Sequence, residues 1–400
     1  MEQDLYFLEY GKNLYTIGKY NESLFILNKL IDKYKKNNIY NSFYIDLLFS
    51  YSNICSIFNI KFNYFEKLNH IMKELNNINI SQLQKDFCKF IYTSLCLKNK
   101  NYKMCYNYLN NFNNITGPGV NKNNMSFFKK DDKNKKLLIY DGGGLGDLIM
   151  LSRFIPKLCS KYSDNDIIFF IHDRMKWLFN EYFKNIKNLR IVSVKMPFLI
   201  GHFDYHCNML SLIKYLNYGY NTIEFKPFLK NINLKIKENC KKIIKNIKKN
   251  TYILNWKGNI KNSHEKYNRG MNLKYAIPLF KLKDINWLVI SKNITEDERE
   301  ILNKYKIEYI GDKIDKDKAF YDSISIIKNV KGVISTDTSL PHLSLTLGVK
   351  TYVLLTLGCE WRWTRDKKTM WYPEAELIRQ TEIFNWEDVI KKLGDKINSS

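Results

Sequence analysis

The chain has 400 residues, 45% of them hydrophobic, and a formal net charge of +24. That length corresponds to two or three domains, and the apolar share excludes a disordered polyelectrolyte. No run of about 18 apolar residues occurs, so no transmembrane helix is expected. The positive excess is mostly lysine, dispersed among abundant Asn, Ile and Tyr. It reads as a compositional bias rather than a nucleic-acid footprint, although a basic surface favours anionic ligands.

Residues 1–112 are helical in period and repeat internally. Tyr10, Tyr51 and Tyr92 recur at 41 residues, as do Leu14, Cys55 and Cys96, and Leu27, Leu68 and Leu109. Apolar positions within each unit fall three and four apart, as one helix face requires. Each unit reads as a helix pair that buries its face only by stacking on the next. Its first copy, YGKNLYTIGKYNESLFILNKLI, resembles a tetratricopeptide repeat. Two roles stay open for this region, a partner-binding solenoid and a helical cap. Residues 113–135, rich in Gly, Pro, Asn and Lys, read as a linker.

From 136 onward short apolar runs alternate with amphipathic helices, which predicts parallel sheets with right-handed crossovers. The pattern restarts after a basic helix around 234–248. It gives two Rossmann-like blocks, 136–249 and 250–400, with a cleft between them. In the first, LLIYDGGGLGDLIMLSRFIPKL places Gly142, Gly143, Gly144 and Gly146 between a buried strand and a helix expected over 147–161. Ligands bind at the carboxyl ends of parallel strands, and glycines permit positive φ and close backbone approach. The cluster is neither GxGxxG nor a P-loop. Asp147 ends it, either as a helix cap or as a carboxylate aimed into the cleft.

In the second block, GVISTDTSLPHLSLTLG places Thr336, Asp337, Thr338 and Ser339 at a strand end. Pro341 falls early in the helix that follows, and Gly348 is its stop. Hydroxyls and helix N–H groups in one place suit a phosphate, Asp337 suits a ribose hydroxyl, and His342 lies one turn into the helix. Further on, CEWRWTRDKKTMWYPEAELIRQ crowds three tryptophans into a predicted loop, which implies a packing or binding reason.

Together with FDYHCNMLSL and ILNWKGNIKNSHEKYNRGMNL, these stretches resemble the glycosyltransferase family 9 enzymes, which include lipopolysaccharide heptosyltransferases. The likeness is to the branch with tetratricopeptide-like repeats ahead of the transferase, and it covers roughly 137–395. It implies an α/β, GT-B-type pair of Rossmann-like domains behind an all-α repeat region. The activity implied is inverting and metal-independent, moving a sugar from a nucleotide-diphosphate sugar to an acceptor hydroxyl on a glycan or protein. Asp147 matches the family's general base. Asp337, Thr338, Ser339 and His342 match its diphosphate-holding motif, with Ser339 where Gly, Ala or Val is usual. Lys292, Arg269 and Lys266 stand as donor-phosphate cations, and Gly143, Gly144 and Gly146 as the glycine loop. The family's Trp-Ser-Gly is Trp256-Lys257-Gly258 here. No cofactor and no metal are expected; His202, His206 and Cys207 fall in a segment the family pattern explains. The alternative is a repeat-based scaffold with a vestigial transferase domain.

Eight cysteines without a CxxC pair read as free thiols in a reducing compartment. The acidic start MEQDLYFLEYGKN shows no secretory leader. A cytoplasmic protein without an integral membrane segment is the expectation.

Overall fold

The computed structural model describes residues 2–16, 19–34, 42–57, 65–109, 127–129, 131–140, 143–259 and 269–399. They divide into two compact units, one of residues 1–112 with Glu360–Arg362 and one of Asn113–Cys359 with Trp363–Ser400.

The first unit is all-α: α1 (Glu2–Thr16), α2 (Tyr20–Tyr34), α3 (Ser42–Ile57), α4 (Phe65–Glu74) and α5 (Gln82–Lys98). The odd-numbered helices begin at Glu2, Ser42 and Gln82, a spacing of 40 residues that matches a helical repeat. The repeat-equivalent positions Leu14, Cys55 and Cys96 are all buried, as are Leu27, Leu68 and Leu109. Close approach explains Gly11, where a Cβ would lie 2.8 Å from Leu27 Cδ2. There α1 seats on α2, and Ser23 Oγ donates to the Gly11 carbonyl at 2.7 Å. A single tight turn, Tyr102–Cys105, follows α5, and the Tyr102 ring meets Trp361 edge-on at 6.4 Å.

The second unit holds two parallel sheets. The first sheet has the order β3–β2–β1–β4, from β1 (Lys136–Tyr140), β2 (Asp166–Ile171), β3 (Leu189–Ser193) and β4 (Tyr205–Asn208). Leu138 sits in register with Ile168 on one side and His206 on the other. α6 (Leu145–Leu151) and α7 (Ile155–Lys161) follow β1, α8 (Lys176–Tyr182) follows β2, and α9 (Leu212–Tyr215) follows β4. The helix expected over 147–161 is thus two helices. Pro156, in the first turn of α7, has no N–H to continue the ladder, and a 3-10 turn, Ser152–Phe154, bridges the break. Phe127 and Phe128, inside the expected linker, pack on this block: Phe127 stacks on Tyr215 of α9 at 3.8 Å, and Phe128, 7% exposed, meets Tyr205 of β4 edge-on at 5.8 Å.

The second sheet has the order β10–β9–β8–β5–β6–β7. Its strands are β5 (Thr251–Asn255), β6 (Asn286–Val289), β7 (Glu308–Tyr309), β8 (Gly332–Thr336), β9 (Thr351–Leu355) and β10 (Glu376–Arg379). α10 (Glu238–Lys245) precedes it. α11 (Ile277–Phe280), α12 (Glu296–Lys304), α13 (Tyr321–Ile327), α14 (Ser339–Thr346) and α15 (Trp386–Asn398) fill the crossovers and the end. Strands β5, β8 and β9 are buried along their whole length, as a parallel sheet covered on both faces requires. α14 ends as expected at Gly348, whose φ of +76° suits a residue without a Cβ.

Candidate functional site

In an open parallel sheet the ligand crevice lies outside the carboxyl ends of the strands where the strand order reverses. In the first sheet that point is between β1 and β4, and the loop leaving β1 carries the glycines. In the second it is between β5 and β8, where β5 ends in Asn255 and β8 runs into Asp337 and Thr338. The fold therefore brings both of the motifs expected to carry chemistry to switch points.

A buried polar network builds the second crevice. Asn255 Nδ2 donates to Ser335 Oγ at 3.0 Å and to Thr338 Oγ1 at 3.3 Å, while Ser291 Oγ donates to Asn255 Oδ1 at 2.7 Å. The hydroxyls of Ser335 and Thr338 are 3.1 Å apart. Thr338 caps α14 by accepting from the Leu340 N–H at 3.3 Å. Thr338 and Ser339 are half-buried and Asp337 is 4% exposed. Asn255 and Ser291 were not expected as site residues. Each is one polar residue closing an apolar strand, a signal present in ILNW and LVIS.

The two crevices meet through α6 and α14. A Cβ on Gly146 would lie 2.7 Å from His342 Cδ2 and 3.3 Å from both His342 Nε2 and Ser339 Cα. Gly143 is equally tight: a Cβ there would lie 2.7 Å from Asp147 Oδ2. Among the described glycines only Gly201 and Gly348 have positive φ. Gly143 and Gly146 thus serve close packing against Asp147 and His342, Gly144 has room for a Cβ, and the positive φ that the loop could have used is found at none of the three. Gly142 lies outside the described residues. Gly146→Ala should cost about 1–3 kcal/mol of stability, the usual penalty of overpacking. Gly144→Ala is the control, since the nearest atom to its Cβ, Asp147 Oδ2, is 3.9 Å away. Thermal unfolding of the two variants checks the difference.

Asp147 is half-buried in the first turn of α6, where Oδ2 accepts the Gly144 N–H at 3.1 Å. It caps the helix and lies beside the glycine loop. His342, expected at the mouth of the cleft, is instead 2% exposed and walled by aromatics. Trp363 lies 5.2 Å from its ring and Tyr372 5.3 Å, and Nδ1 is 2.8 Å from the Tyr372 hydroxyl. The tryptophan-rich stretch is therefore packing: Trp363, Trp371 and Tyr372 are completely buried.

The expected cations scatter. Lys292 follows Ser291, but its ammonium donates to the carbonyls of Gly311 and Ile314 and holds that loop. Arg269 is half-buried beside Met271, whose N–H reaches the Trp256 carbonyl at 2.7 Å. Lys266 lies outside the described residues. Lys257 pairs with Glu298 at 2.5 Å and faces α12. His206 and Cys207 are buried within β4, where burial lowers the imidazole pKa and pushes the thiol up. His202 is exposed near Asp204. Among the described residues no three metal-ligating side chains converge, and no helix is long and apolar enough to cross a membrane.

The fold and its site define a two-sheet α/β protein whose paired switch-point crevices are joined by one helix–helix seam. No protein-family model and no curated protein matches the chain. Among solved structures, it is similar to the E. coli ADP-heptose lps heptosyltransferase II, at 10% identity over 66% of this chain and 99% of that one, with a TM-score of 0.40. A family 9 glycosyl transferase from Veillonella parvula matches at 11% identity over 65% and 89%, with a TM-score of 0.44. The iron-containing dodecameric glycosyltransferase TibC from E. coli matches at 10% over 64% and 66%, with a TM-score of 0.40. Identities this low do not carry chemistry across.

Proposed function

We propose that this protein is a glycosyltransferase of the family 9 type, inverting and metal-independent, that moves a sugar from a nucleotide-diphosphate sugar to an acceptor hydroxyl. The observation that carries the reading is the seam at Gly146, which sets the glycine loop of one switch point against His342 at the other. A two-substrate transfer needs donor and acceptor crevices within reach of one reacting atom.

In this reading the donor lies over the Asn255–Ser335–Thr338 network, with its diphosphate toward Thr338, Ser339 and the first N–H groups of α14. Asp337 holds a ribose hydroxyl. Asp147 takes the proton from the acceptor hydroxyl as its oxygen bonds to the anomeric carbon. The bond from that carbon to the diphosphate oxygen breaks with its electron pair onto the diphosphate, and because the acceptor attacks from the opposite face the configuration inverts. Hydroxyls, N–H groups and the cations Arg269 and Lys266 stabilise the leaving charge, while Lys292 stays engaged with the carbonyls of Gly311 and Ile314.

A panel of nucleotide-diphosphate sugars, with nucleotide diphosphate release measured with and without cell extract, tests this directly. At least one donor should turn over, and excess EDTA should leave the rate unchanged. Asp337→Ala and Thr338→Val should each weaken calorimetric affinity for the nucleotide diphosphate by about 1–3 kcal/mol, the cost of losing a buried polar contact. A panel with no binding and no release would overturn the reading, and loss of turnover on chelation would overturn its metal-free form.

A further inference from the structure

A half-buried arginine next to the seam has no role in the chemistry above. Arg153 sits in the turn between α6 and α7. Its Nε donates to the Met150 carbonyl and its Nη1 to the Trp371 carbonyl, both at 2.8 Å. The guanidinium carbon lies 4.8 Å from the ring centroid of Tyr372, 5.0 Å from Phe225 and 5.3 Å from Trp371. Among the described residues no carboxylate pairs with it, and Nη2 is buried without a hydrogen-bond partner. A charge held in this way is costly unless its surroundings use it.

Tyr372 is what it faces. That ring is completely buried, stacks on Trp363 at 5.6 Å and places its hydroxyl 2.8 Å from His342 Nδ1. A cation over a phenol ring draws electron density from it, which makes the hydroxyl a better donor and a poorer acceptor. Donation from Tyr372 requires His342 Nδ1 to be a lone pair, so the imidazole proton resides on Nε2. The same cation opposes a second positive charge on the imidazole, and the aromatic wall denies that charge water. Burial lowers the Arg153 pKa, and its contact with Tyr372 offsets part of that.

We propose that Tyr372 is a positioning residue, supported by Arg153, that fixes His342 as a neutral Nε2–H donor aimed at the seam between α6 and α14. The Cδ2–Nε2 edge of the ring is the one facing Gly146 on α6. The use of that N–H toward a donor diphosphate rests on the proposed function; the tautomer itself does not.

The test is the nitrogen-15 spectrum of histidine-labelled full chain without nucleotide. The signal of His342, one of six histidines, is assigned by its loss in His342→Gln. Wild type should show one neutral Nε2–H tautomer between about pH 5 and 8, the range in which an ordinary histidine titrates. Tyr372→Phe keeps the ring and should release the histidine into a tautomer mixture or a titrating imidazolium. Nucleotide diphosphate affinity should then drop about three- to tenfold, the share of one hydrogen bond. Arg153→Lys should retain the wild-type signature and Arg153→Gln should weaken it. An Nδ1–H or a titrating wild-type His342 overturns the proposal, and so does a Tyr372→Phe spectrum identical to wild type. A fixed Nε2–H released by Tyr372→Phe, in a protein that binds no nucleotide, upholds the role of Tyr372 and overturns only the donor reading.

Discussion

Asp147→Asn should lower turnover by roughly 10²–10⁴-fold, the usual contribution of a positioned general base, while stability and donor affinity barely change. The geometry makes this substitution discriminating. Asp147 already has a structural duty, accepting the Gly144 N–H at 3.1 Å in the first turn of α6. Asparagine retains an oxygen for that bond and caps about as well, so the thermal midpoint should move little. It cannot take a proton from an attacking hydroxyl. Gly143 sharpens the comparison, because its missing Cβ is what lets the carboxylate fold back over the loop, 2.7 Å from where that atom would be. Turnover and thermal midpoint measured on the same samples separate the roles. Equal activity at equal stability would make Asp147 a cap and nothing more, and the base would then lie elsewhere.

Period and strand chemistry made much of this fold legible. Buried parallel strands such as TYILN and GVIST are continuous apolar runs, and the glycine and Asp-Thr motifs fall where such strands end. β4 escaped because YHCN mixes His206 and Asn208 into a strand that burial alone justifies. The site was legible as motifs but not as contacts. Nothing in the order of residues says that Gly146 touches His342, 196 positions away, or that a loop tyrosine holds its ring nitrogen. Arg153 was hidden for the opposite reason. In LIMLSRFIPKL it reads as the polar face of an amphipathic helix, whereas Pro156 breaks that helix and the turn drives the side chain inward. Lys292 marks the limit of reasoning by position, since the carbonyls of Gly311 and Ile314 claim its ammonium.

Lys257→Met should destabilise the protein by about 3 kcal/mol, near the lower end for a buried ion pair broken from one side. The pair is well sheltered, with side chains 12% and 14% exposed. Glu298 would keep two donors, the Trp256 indole N–H at 2.7 Å and the Thr295 N–H at 2.7 Å, which places the cost low in the range. Lys257→Met with Glu298→Gln should cost less than Lys257→Met alone, because no unpaired charge stays inside. The pH dependence follows from the carboxyl. Burial alone would raise its pKa, but Lys257, the Thr295 N–H and the Trp256 indole outweigh it and hold it below the ordinary 4.5. A depressed acid stabilises fully above its unfolded value and loses that contribution as pH falls through its folded value. The gap in thermal midpoint between wild type and the double variant should therefore be constant near neutral pH and close under acid conditions. A gap that persists unchanged in acid would show that packing, not charge, joins α12 to the strand end. This anchor lies next to the site, since Trp256 follows Asn255 directly and Glu298 ties the end of β5 to the first turn of α12. A loss of nucleotide affinity beyond what unfolding explains would show that the pair also sets the position of Asn255. Affinity unchanged in the folded variant would confine Lys257 to stability.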